Sequence, residues 1–68
     1  MTKSEMWTKA AELRKESKEL LSKAVWQAGC MAEEGAGTEA IDKATARKMA
    51  KIAENQARIE TLMNEWAA

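Results

Sequence analysis

The sequence contains no histidine, no proline, no phenylalanine or tyrosine, and a single cysteine, Cys30. Without histidine there is no Ser-His or Cys-His nucleophile pair, no imidazole acid-base catalysis and no zinc-finger ligand set, and one cysteine makes no internal disulfide. Most hydrolytic chemistry goes with them, so the chain is expected not to be an enzyme and to carry no catalytic, metal or cofactor site. Cys30 reads as a small apolar helical residue, with an intermolecular disulfide or a reactive thiol as the alternatives. No apolar run approaches the roughly 18–20 residues of a membrane span, and Lys3, Glu5 and Lys9 interrupt the stretch where a signal peptide would be apolar. The expected setting is therefore the cytoplasm, bacterial or of a host cell, with no membrane partner.

Charge of one sign is also missing. Lysine plus arginine is 11 and aspartate plus glutamate is 11, split 6 against 6 before Gly35 and 5 against 5 from it onward. Neutral halves do not advertise nucleic acid or acidic lipid as a partner. Large aliphatics are scarce as well: of 68 residues 46% are apolar, but fourteen are alanine and only eight are leucine, isoleucine or valine. A lone chain of this size and content is short of core.

What is present is helical patterning. All three glycines lie between Gly29 and Gly37, so the breaks fall in one place near the middle. Thr2-Lys3-Ser4-Glu5 fits a capping box that starts a first helix running from about residue 3 to Glu34. Gly35-Ala36-Gly37 supplies the positive-φ stop and the turn, and Thr38 is expected to cap a second helix from about 38 to 66 whose first turn carries Glu39 and Asp42. The expected fold is all-α, one domain over 1–68: an antiparallel two-helix hairpin, each helix roughly 40–50 Å long.

At about 100° per residue, Met6, Ala10, Leu13, Ser17, Leu20, Leu21, Ala24, Ala28 and Met31 share one stripe of the first helix. Ile41, Thr45, Met49, Ile52, Gln56, Ile59, Met63 and Trp66 share one stripe of the second. A turn centred near Ala36 makes facing residues sum to about 72 in number. That stacks Met31 with Ile41, Ala24 with Met49, Leu20 with Ile52, Leu13 with Ile59 and Met6 with Trp66. Ser17 then falls opposite Asn55 and Gln56, either as a buried polar layer that sets register or as a wet margin.

Two features exceed what a bare hairpin needs. Ala46, Ala50, Ala53 and Ala57 recur at spacings of 4, 3 and 4, a second seam on which another helix can approach closely, unless the alanines are simply exposed helix formers. Trp26 projects nearly opposite the first helix's stripe, either as an interface anchor or lying flat over lysine stems. Because ordering entropy of about 1–2 kcal/mol per residue outweighs what one interface buries, dimerisation into a four-helix bundle is expected. The i,i+4 pairs Glu5–Lys9, Glu19–Lys23, Glu39–Lys43 and Glu54–Arg58 suit solvated outer faces. The expected function is that of a small regulator, inhibitor or assembly subunit that binds itself and an unidentified target protein through Trp26 and the alanine seam.

Other chemistry is weaker. Glu12, Glu16 and Glu19 share a face as bundle metal sites do, but with lysines among them they read as solvated charge. Gly35-Ala36-Gly37 lacks the strand and lysine of a phosphate loop. Lys43, Arg47, Lys48 and Lys51 form a basic strip that makes RNA the alternative partner.

The segments Glu12-Leu13-Arg14-Lys15-Glu16-Ser17 and Ala57-Arg58-Ile59-Glu60-Thr61-Leu62-Met63-Asn64-Glu65 resemble two segments of the ribosomal large-subunit protein twenty-nine family, at about that family's spacing. The resemblance implies a two-helix hairpin and association with ribosomal RNA. This chain departs from the family in having Ala53-Glu54 where it carries a basic pair, and in lacking its aromatic-Asn-Leu-Arg segment before the turn. The run from Ala53 to Leu62 is also similar to the last helix of the small subunit of exodeoxyribonuclease seven. That likeness implies a small non-catalytic subunit of a nuclease complex, and an RNA-associated helical hairpin of antisense-regulator type is a further form of the RNA alternative.

Overall fold

In the computed structural model, which describes residues 2–67, helix α1 spans Lys3–Glu33 and helix α2 spans Thr38–Ala67. Met1 and Ala68, the ends of the expected 1–68 unit, lie outside the described residues. Thr2 holds an extended conformation, and its Oγ1 accepts from the Glu5 amide at 3.2 Å, satisfying one of the donors a helix start leaves free. At the other end of α1 the Ala36 amide donates to the Met31 carbonyl at 2.9 Å and the Gly35 amide to that of Ala32 at 3.0 Å, the paired bonds of a Schellman stop. Gly35 has φ +88°, a conformation that a Cβ makes costly. Thr38, expected as the cap of α2, is instead its first helical residue. The Ile41 amide bonds to the Gly37 carbonyl at 3.1 Å, so Gly37 takes the cap position.

The two helices return along one another as an antiparallel rod with principal extents of 49 × 16 × 11 Å. In α1, Met6, Ala10, Leu13, Ser17, Leu20, Ala24, Gln27 and Met31 are all buried or half-buried. In α2 the matching residues are Ile41, Thr45, Lys48, Ile52, Asn55, Ile59 and Leu62. Both sets advance by alternating steps of four and three, the 3.5-residue period of helices that wrap around each other rather than the 3.6 of a straight helix. Each of these α2 residues pairs in number with an α1 member to a total of 72, the register that the Ser17–Asn55 hydrogen bond occupies.

That period corrects the stripes drawn from a straight helix. Leu21, Met49, Gln56 and Met63, expected inside, are exposed, and Lys48, Asn55 and Leu62 take the inward positions on α2; Trp66 keeps the period, at Met6's level, but is 45% exposed at the end of the rod. Met49, Gln56 and Met63 each lie one residue, about 100° of rotation, past the seam. Ala24 therefore meets the level of Lys48 rather than Met49. The polar layer is real and belongs to Asn55, which is 0% exposed, whereas Gln56 faces water. Asn55 Nδ2 donates to Ser17 Oγ at 3.2 Å, but its Oδ1 is buried without a hydrogen-bond partner. Buried hydrophobic residues are few: Met6, Ala10, Ala24 and Ile59. Trp66 covers the open end of the rod, with the Lys3 ammonium 5.6 Å from its ring centroid.

Candidate functional site

A rod only two helices thick has two broad faces, and the heptad spacing assigns the residues that flank the seam to one or the other. In antiparallel wrapped helices, the residues just after one inward position of each helix flank the seam on one side, and those just before the other flank it on the opposite side. The first side carries Trp7, Leu21 and Val25 from α1 and Met49 and Met63 from α2, with Ala46 and Ala53 beside them. These five large side chains are 41–63% exposed and give this face its apolar character, interrupted by Arg14, Lys18, Gln56 and Glu60 near its middle and by Asp42 toward the turn.

The opposite face is charged. Near the open end an elongated groove runs between the helices, with Leu13 and Leu62 at its floor, Lys9, Glu12 and Glu16 on one bank and Glu54, Arg58 and Glu65 on the other. The Arg58 guanidinium pairs with Glu54 at 2.7 Å, and Lys51 reaches the same carboxylate at 3.8 Å. These are the ion pairs among the described residues, so of the four expected i,i+4 pairs Glu54–Arg58 alone is closed. Toward the turn, Trp26 borders a shallow depression with Ser22, Lys23, Gln27 and Lys48. At 73% exposed it is the most exposed large apolar residue among those described.

The residues singled out from sequence thus separate. Trp26 lies on the charged face, Ala46 and Ala53 lie at the edge of the apolar face, Ala50 lies on the back of α2, and Ala57 borders the groove of the charged face; all four alanines are exposed in the hairpin. Of the basic strip, Lys43 and Arg47 are exposed, whereas the half-buried Lys48 donates to Gln27 Oε1 at 3.0 Å and Lys51 is held by Glu54. The structure does not assemble the strip into one free cationic surface.

Glu12, Glu16 and Glu19 are exposed, and among the described residues no group of three or more acidic or thiol side chains is placed to hold a metal ion. Cys30 is half-buried and unbridged. No described helix is long and apolar enough to cross a membrane.

Sequence reasoning misses the apolar face itself: it gives Trp7 and Val25 no place and counts Leu21, Met49 and Met63 as core. The signal lies in the four-three spacing of α1, which reflected through the turn gives the inward positions of α2 and leaves these five residues together outside. Comparison of the chain with protein-family models, with curated proteins and with solved structures finds no match.

Proposed function

We propose that this chain is a non-enzymatic, protein-binding hairpin, a small regulator, inhibitor or assembly subunit that self-associates into a four-helix bundle and docks on a partner protein. The observation that carries the reading is the ratio of buried to exposed apolar side chains. Among the described residues four hydrophobic ones are buried, two of them alanine, while seven large ones, including all three tryptophans, are 41–73% exposed. Exposed tryptophan and methionine on a rigid scaffold are the composition of interface anchors, and large apolar side chains gathered on one face mark an interaction surface. Trp26, isolated on the charged face, is the anchor for the target. The apolar face is the one available to another copy.

The test is the solution mass of the chain at micromolar concentration, compared with that of Met49→Glu, which sets a carboxylate within the apolar face. A dimer that the substitution weakens supports the proposal. A wild-type monomer whose melting the substitution leaves unchanged overturns it. RNA binding that falls steeply with added salt would instead favour a nucleic-acid role for the strip Lys43, Arg47, Lys48 and Lys51.

A further inference from the structure

We infer that the apolar broad face is covered by a second copy of this chain, laid face to face and turn beside turn, so that α1 of each copy rests on α2 of the other. The inference rests on the self-association proposed above and adds which face is used and how the copies are oriented. Size is the first argument. The face measures 49 by 16 Å, an outline of roughly 800 Å² per copy, which is the area that each partner of a standard stable interface contributes.

The second argument is the order of residues along the rod. Numbers totalling 72 lie at one level, so Met63 stands within about two residues, some 3 Å, of Trp7's level, and Met49 stands midway between Leu21 and Val25. Glu60 lies within about two residues of Arg14's level. A two-fold axis along the rod keeps every level and exchanges the helices. Trp7 then meets Met63 of the second copy, Leu21 and Val25 bracket Met49 of the second copy, and Arg14 meets Glu60 of the second copy, each contact occurring twice.

Turning the second copy end for end instead places α1 on α1. Lys18 then faces its own counterpart at the middle of the interface, with Arg14 of each copy about one turn, some 6 Å, along from the other copy's Lys18, and these like charges oppose association. Apolar side chains overlap in both arrangements, so charge selects the one with adjacent turns.

Spin labels on Gly37→Cys in a Cys30→Ser background read the orientation. Gly37 does not hold a positive φ and has open space where a Cβ would stand, so the hairpin accommodates the change. Adjacent turns give a label separation under about 25 Å, whereas opposed turns give one near the 49 Å length of the rod and refute the orientation. For the face, Arg14→Glu with Lys18→Glu in one chain and Glu60→Lys in another should each weaken self-association by about tenfold or more, and an equimolar mixture of the two should restore it. A mixture no tighter than its components overturns the pairing even if either variant alone folds poorly. If Leu21→Glu leaves a wild-type-like dimer, the face is wrong while self-association stands; if the wild type is a monomer, the underlying proposal fails first.

Discussion

Replacing Asn55→Leu and Ser17→Ala together should make the hairpin more stable and less particular. The wild-type layer has one hydrogen bond, Asn55 Nδ2 to Ser17 Oγ at 3.2 Å, and one buried oxygen, Asn55 Oδ1, that accepts nothing. The bond contributes about 1 kcal/mol net, while the unsatisfied oxygen costs about 1–3 kcal/mol of desolvation, so polar chemistry at this layer runs at a loss. A leucine at a fully buried position adds about 2 kcal/mol of apolar burial, reduced by the strain of its larger volume. The balance is a gain of about 2 kcal/mol, which for a chain of this length raises the melting temperature by roughly 8–16 °C. Helical circular dichroism during heating, at one fixed chain concentration because association also raises the midpoint, measures it. The second consequence is loss of register: without the polar layer, slipped pairings compete, and amide spectra should show more than one resonance for residues near the seam. A double variant that melts at or below the wild-type temperature would refute the reasoning, because Oδ1 would then have to be satisfied in the folded protein.

Gly29 lies inside α1 with open space where a Cβ would stand, so Gly29→Ala should stabilise by about 0.5–1 kcal/mol in urea unfolding. Gly35→Ala should do the reverse, by about 1–2 kcal/mol, since Gly35 closes α1 at φ +88°. An equal response at the two glycines would contradict the assignment of the stop. Ile59, the one branched aliphatic among the buried residues, should lose about 2–4 kcal/mol on Ile59→Ala, seen as a lower urea midpoint, while Val25→Ala on the exposed face should cost an isolated hairpin under about 1 kcal/mol.

The hairpin is legible because its signals are local. A threonine three residues before a glutamate, glycines gathered at the centre and no proline elsewhere specify two helices and their ends almost to the residue. The rotation of α2 about its own axis is less legible, because its inward Lys48 and Asn55 are polar, and the apolar stripe slides one residue to Met49 and Gln56 and carries on to Met63 in place of Leu62. Burial tolerates the polar choices for separate reasons. Thr45 Oγ1 bonds back to the Ile41 carbonyl at 3.0 Å, Lys48 finds Gln27 across the seam, and Asn55 finds Ser17. The partners across the seam do not appear in any local pattern. The candidate site suffers in turn, since a rotation of one position moves methionines between core and surface. Trp26 escapes the error because it lies on α1, whose rotation the local pattern does specify.

The reflection of α1 onto α2 through the turn means that the rod carries no preferred length. Excising residues 14–20 and 52–58 together removes one heptad from each strand at the same level, shortens the rod by about 10 Å and leaves every surviving pair across the seam as it was. Excising either segment alone leaves all pairs on its far side mismatched. Insertions and deletions are therefore tolerated in this architecture as matched sevens, and a related hairpin of different size would differ from it by such paired blocks, with the Met31–Gly37 stop unchanged as the fixed point from which both strands are measured.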